Sequence, residues 1–186
     1  MKKYRCLNKT VYFSNNISFF AVNKMDIEII RLWRNAQINV LRQIKKIQKK
    51  QQQEYFQYQI WPEMLKKYPK NILLSIKLKN QLIGYGGLTN ISWYNRRAEI
   101  SFLLNNKLIK NKQFYKMIFS EFLTLLKKIA FKELKLNKIY TETYSSRKFH
   151  ISILKKNDFK LEGKLKKHVY IINKFQDSLL HAIIKR

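Results

Sequence analysis

Residues 82–104 read LIGYGGLTNISWYNRRAEISFLL, and the fold is decided there. Two strand-like runs face each other across a turn. The first, Leu82 to Thr89, carries Gly84, Gly86 and Gly87. The second, Arg97 to Leu104, is apolar on both faces except at Glu99 and Ser101. A strand apolar on both faces belongs in the middle of its sheet. Trp93 and Tyr94 lie between the two runs, at a turn. Just upstream, Ile72 to Leu78 reads as a third strand, joined to the first run across Lys79, Asn80 and Gln81 as a hairpin.

Working outward, the pattern changes period. From Gln113 to Phe131 the apolar residues Phe114, Met117, Ile118, Phe122, Leu125, Leu126 and Ile129 share one broad helical face. A strand follows at Lys138 to Tyr144, a helix at Arg147 to Lys156, and strands at Phe159 to Leu165 and Asp177 to Ile184. On the other side, Ile17 to Val22 reads as a strand. Asp26 is placed to cap a helix through Ile27, Ile29, Ile30 and Trp33. The basic run Lys45 to Gln53 is a solvated helix face, a mobile loop or a binding patch. A further helix is expected over Gln53 to Tyr68, broken near Pro62. The sum is one mixed α/β domain over residues 1–186. Its sheet has about six to seven strands and is flanked by about four helices.

Composition narrows the class. With 46% hydrophobic residues the chain can bury a core. It has 39 Lys and Arg against 11 Asp and Glu, a formal charge of +28. Such a field favours anionic partners. The excess is almost all lysine, beside abundant Asn, Ile, Phe and Tyr and scarce Gly and Pro, which AT-rich codons would also produce. The lysines run through the whole chain and form no single stripe, which argues against nucleic acid. Cys6 is the only cysteine, so no intrachain disulfide forms. The widely spaced histidines and single cysteine make no metal signature. Met1-Lys2-Lys3-Tyr4-Arg5 has no apolar run after it, and no segment is long enough to span a bilayer, so a cytoplasmic address is expected.

The element order, together with four segments, resembles the GNAT superfamily of acyl-CoA-dependent N-acetyltransferases. The segments are Trp33-Arg34-Asn35; Ile83-Gly84-Tyr85-Gly86-Gly87-Leu88; Ala98-Glu99-Ile100-Ser101-Phe102; and the run from His150-Ile151 to Phe159 with Glu162-Gly163, His168-Val169 and Asp177-Ser178. The first and last look like the branch holding acetyltransferases of amino-sugar nucleotides in surface-glycan biosynthesis and of ribosomal-protein N-termini. The resemblance implies acetyl-CoA as donor, an amine as acceptor, and no metal. A homodimer is left open.

Two stretches depart from the superfamily pattern. The glycine-rich loop that usually cradles the CoA pyrophosphate is replaced by Lys107-Leu108-Ile109-Lys110-Asn111-Lys112-Gln113. Either the lysines and the helix N-terminus hold the phosphates, or these residues are a solvated loop and CoA binding is weak. In the helix from Arg147 to Lys156 the usual asparagine is Arg147, the usual tyrosine acid is Leu154 and the usual glycine is Asp158. Leucine has no proton to give.

Acetyl transfer to an amine needs a base, a donor to the thioester oxygen and an acid for the thiolate. The resemblance makes Glu99 the base. An apolar setting suits a carboxylate to proton uptake, although an ion pair with Arg96, Arg97 or another cation at a strand edge would explain it as well. Glu142 is the reserve, with a structural ion pair as its alternative. The fold implies backbone N–H groups of Phe102, Leu103 and Leu104 for the oxygen. His150 and Tyr144 are the nearest substitutes for the missing acid; a packed, hydrogen-bonded histidine is the plain alternative. Arg147 joins the lysine loop on the CoA side. Arg34, Asn35, Trp93, Tyr94, Glu142 and His168 are acceptor candidates, and Asp177 a structural or acceptor residue. Trp33 reads as core, while Trp61 and Trp93-Tyr94 are core or stacking groups. The leading expectation is acetylation of an amino-sugar nucleotide. A protein N-terminus or small amine is the enzymatic alternative, and a binding module that lost CoA chemistry is the non-enzymatic one.

Overall fold

A computed structural model of the chain describes residues 3–15 and 17–185; Met1 and Lys2 of the basic start lie outside them. Eight strands form one sheet: β1 (Val11–Ser14), β2 (Ile17–Ala21), β3 (Ile72–Leu78), β4 (Gln81–Ser92), β5 (Arg97–Leu104), β6 (Lys138–Tyr144), β7 (Lys160–Ile171) and β8 (Lys174–Ile184). Their spatial order is β1-β2-β3-β4-β5-β6-β8-β7. Every neighbouring pair is antiparallel except β5–β6. The helices are α1 (Ile27–Ala36), α2 (Lys49–Tyr55), α3 (Lys112–Lys128) and α4 (Lys148–Lys156).

The β3–β4 hairpin closes on Lys79 and Asn80, with φ of 46° and 66°, while Gln81, expected in the turn, already pairs with Leu78 at the start of β4. Two successive left-handed residues make the turn whose twist matches the strands. β4 and β5 are the centre. Gly86 stands where any side chain would meet the Phe122 ring of α3, and at Gly87 a Cβ would lie 1.9 Å from the Ile72 carbonyl oxygen of β3. The glycines therefore let a helix and a neighbouring strand approach β4. The parallel β5–β6 pair needs a long crossover, and α3 provides it. Asn111 caps α3 by accepting the Phe114 N–H at 3.0 Å, and Lys127 and Lys128 sit in its last turn, where the helix dipole favours cations. Ile118, Phe119, Phe122, Leu123, Leu125 and Leu126 bury its inner face, each stabilising by roughly 1.5–3 kcal/mol.

Three expectations are corrected. β1 adds an eighth strand, so the sheet exceeds the six to seven expected. Asp26 begins α1 without a side-chain cap; its carboxylate instead accepts the buried Ser75 hydroxyl at 2.6 Å and the Asn23 N–H at 3.2 Å. The expected helix over Gln53 to Tyr68 starts earlier and splits: α2 ends at Tyr55, a π turn spans Phe56–Ile60, and a 3-10 turn begins at Pro62, where the proline can donate no N–H. The basic run from Lys45 accordingly enters α2 at Lys49.

Candidate active site

β5 and β6 pair only over Arg97–Glu99 against Lys138–Tyr140. Beyond that point the strands part. A cleft of about 120 Å³ opens there, reached by Arg42, Glu99, Phe102, Glu142, Tyr144, Arg147 and His150. Parting leaves the backbone of β5 without a partner on one side. The Asn105 N–H bonds to Ile83 of β4, so alternation turns the groups of Ile100, Phe102 and Leu104 toward the gap. The Leu104 carbonyl is taken there by the Gln37 amide at 2.8 Å.

Glu99 is only 3% exposed. One carboxylate oxygen accepts Asn90 Nδ2 at 2.8 Å, and the other pairs with the Arg42 guanidinium. Arg42 also reaches Glu142 at 3.4 Å, and is itself 54% exposed. His168 Nε2 stands 4.0 Å from the other oxygen of Glu142. So two carboxylates from neighbouring strands share one half-exposed cation.

Deeper in, His150 stacks on Phe119 with ring centroids 4.2 Å apart, and its Nδ1 lies 2.8 Å from the Tyr115 hydroxyl. Arg147 donates to that hydroxyl at 3.3 Å, which leaves the tyrosine's own hydrogen for His150 Nδ1. Burial first, then the charges of Arg147 and His181, hold His150 well below the ordinary histidine range, so the ring is neutral. Tyr144 is raised above its ordinary range by burial, which outweighs the nearby Arg42.

A second cavity of about 350 Å³ adjoins the cleft through Thr89 and Ser101, under α1 and α2. Arg34 reaches into it, with Nη1 donating to the Tyr85 hydroxyl at 2.9 Å and Nε to Gln43 at 3.1 Å. On the opposite side, the loop 105–111 leads into the α3 N-terminus. Lys107, Lys110, Asn111, Lys112 and Gln113 are exposed there, and the first helical N–H groups have no partner within the helix. That end of the molecule suits an anionic group in place of a glycine cradle.

The structure brings together Glu99, Phe102, Tyr144, Arg147, His150 and Glu142, with His168 at the rim. It separates others. Trp93 packs against Tyr68 and donates to the Pro69 carbonyl at 2.8 Å, while Tyr94 is 96% exposed in the next turn; neither lines the cleft. Leu103 alternates toward β4 and is buried in the core with Leu104. Asn35 is occupied by the loop after α1, bonding both backbone groups of Ile47 and the Gln43 amide. Asp177 pairs with Lys164 and accepts the Lys167 N–H. Leu154 is fully buried. Among the described residues no three His, Cys, Asp or Glu side chains gather as a metal site. Sequence reading missed Arg42, Asn90 and Tyr115. Their partners are 9 to 57 residues away, and Arg42 sits in irregular chain with no local signal.

The parted β5–β6 strands with a buried carboxylate beside them belong to an acetyltransferase architecture, and the chain belongs to that family: the acetyltransferase (GNAT) domain model matches residues 20–180. Members use acetyl-CoA, and the chain is an acetyl-CoA-dependent N-acetyltransferase of this type. No curated protein sequence matches it significantly. Among solved structures it is similar to the spermidine N-acetyltransferase from Vibrio cholerae in complex with CoA and spermine, at 18% identity over 92% of this chain and 96% of that one, with a TM-score of 0.79. A dodecameric structure of that enzyme in an intermediate state gives 18% identity over 92% and 95%, with a TM-score of 0.74. At such identity the likeness is one of fold.

Proposed function

We propose that the chain acetylates the primary amine of a small molecule, with Glu99 taking up the ammonium proton. The observation that carries this is the buried Glu99 carboxylate at the last β5–β6 pair, where the cleft begins. An ammonium entering the cleft meets the carboxylates that Arg42 bridges, and can take the guanidinium's place at Glu99. Arg42 is exposed enough to yield. Loss of the proton gives the amine the lone pair that attack on the thioester requires.

The remaining roles follow from position. The Phe102 N–H faces the gap and is oriented to donate to an oxygen that gains negative charge. Tyr144 lines the same cleft with its hydroxyl proton in place, so it is the candidate proton source for the departing thiolate, though burial makes it a weaker acid than an ordinary tyrosine. His150, neutral and tied to Tyr115, positions rather than donates. Lys107, Lys110, Lys112 and Arg147 offer cations for the phosphates of the donor, and the α3 N-terminus adds its dipole.

The solved structures described above are spermidine N-acetyltransferases, which favours a polyamine acceptor. A chain with +28 net charge repels a polycation, and an amino-sugar nucleotide would be attracted instead. The deciding experiment follows thiol release from acetyl-CoA with spermidine, glucosamine, UDP-glucosamine and an N-terminal peptide. Amine-dependent release with at least one small amine is expected. Release only with the peptide, or none together with no thermal stabilisation by acetyl-CoA, refutes the reading.

A further inference from the structure

The three arginines around the acceptor side differ in one respect. Arg31 pairs with Glu28, and Arg42 with Glu99 and Glu142. Arg34 forms no ion pair among the described residues. Its hydrogen bonds go to the neutral oxygens of Tyr85 and Gln43, and it lines the cavity under α1 and α2 beside Gln51, Gln52 and Tyr55. A half-buried guanidinium held in place by neutral acceptors keeps its full charge, and its Nη2 with the second Nη1 hydrogen keeps donors for an incoming anion.

Where this cavity lies matters as much as its charge. Tyr85 pairs with Leu103, Gly87 with Ser101 and Thr89 with Glu99. Side chains two apart share a face, so Arg34's anchor and the Glu99 carboxylate lie on one face of the sheet. They are separated by four residues of strand, roughly 13 Å. Thr89 and Ser101 line both the cleft and the cavity, and thus connect them. One molecule can reach both ends.

Resting on the reading of the cleft as the amine site, we infer that Arg34 is an anion subsite of the acceptor: the amine that is acetylated carries a phosphate or carboxylate several bonds away. Arg34 grips that anion while the amine lies at Glu99. The Tyr85 hydroxyl and Gln43 fix the guanidinium's direction, and the Gln51 and Gln52 side chains supply neutral contacts.

The test uses the full chain with saturating CoA, which occupies the donor's phosphate sites. Calorimetry compares glucosamine with glucosamine 6-phosphate on the parent, Arg34→Gln and Arg34→Lys; acetyl transfer to the same pair is then measured with acetyl-CoA. The phosphorylated amine should bind about ten- to a hundredfold tighter than its neutral counterpart, as a charge-assisted contact implies. The ratio should collapse toward one in Arg34→Gln and recover in part in Arg34→Lys. A parent that binds both amines equally overturns the subsite, and so does an equal ratio in parent and Arg34→Gln. Because binding is read without turnover, anion-selective binding with no transfer keeps the subsite and removes the proposed function. Should Arg34→Gln fail to fold, competition by inorganic pyrophosphate against glucosamine 6-phosphate on the parent decides: displacement is expected, and its absence overturns the proposal.

Discussion

The two faces of β5 make different use of one strand. Ile100 and Phe102 turn toward α3, where Phe102 meets Phe119 and Phe122 at 4.6 and 5.0 Å between ring centroids. Glu99 and Ser101 turn toward α1 and α2, where Arg42 and the Arg34 cavity lie. The first face is held by apolar packing and is indifferent to charge. The second buries Leu103 but also carries Glu99, held by Asn90 of β4 and by Arg42 from the irregular chain after α1. Period-two alternation thus sets the Phe102 packing and the Glu99 carboxylate on opposite faces of one strand.

Emptying the apolar face should have the largest effect. Phe122 is fully buried against Phe19 and Phe102. Phe122→Ala should cost about 3–5 kcal/mol by chemical denaturation, whereas Ser101→Ala on the opposite face should stay within about 0.5 kcal/mol. Equal losses would mean that both faces bear the core.

A pH scan sharpens it at the deep end of the cleft. His150 is neutral when folded because it is buried, and its ordinary value is 6.5. Above that value neither state binds the proton. Below it the unfolded chain does and the folded chain does not, so stability falls with pH by up to about 1.4 kcal/mol per unit. The difference in stability between the parent and His150→Gln, followed from pH 7 to 5, should change by that slope. A constant difference would show that His150 protonates in place.

The smallest effect is expected at the α3 N-terminus. Exposed lysines give only about 0.2–1 kcal/mol each. Lys110→Ala with Lys112→Ala should raise the CoA dissociation constant several-fold, and less at 1 M salt, where the Debye length is about 3 Å instead of about 10 Å at 0.1 M. A variant that binds as the parent does at both salts makes these lysines a solvated loop.

What the sequence made legible follows the same division. β5 and β6 begin and end as their apolar patterns predict, and Glu99 is readable as the one carboxylate in an apolar strand. β1 is four residues long, too short for alternation to register. The Gln-rich stretch from α2 to Ile60 has no clean period, so its π turn is invisible. The β7–β8 hairpin is longer than expected because its outer half is lysine-rich and solvated, closing on Ile172 and Asn173 with positive φ. In the site, Glu99 is legible from its own strand, whereas its partners Asn90 of β4 and Arg42 of the irregular chain, and Tyr115 of α3 beside His150, are set by tertiary contact and leave no local signal. Arg42 acts on Glu99 from 57 residues away. The Trp33-Arg34-Asn35 segment was noticed, yet its local task, with Asn35 holding the loop that bears Arg42, emerges only when Ile47 and Gln43 are seen beside it.

On the proposed mechanism Glu99 serves the transfer and not the fold. Glu99→Gln keeps the shape and can still contact Asn90, but cannot take up the amine's proton. Thiol release from acetyl-CoA with a saturating small amine should fall by about 10²- to 10⁴-fold, while the thermal midpoint stays at the parent's value. Unchanged release across the pH range, or a lowered midpoint with release reduced only in proportion to the folded fraction, would contradict it.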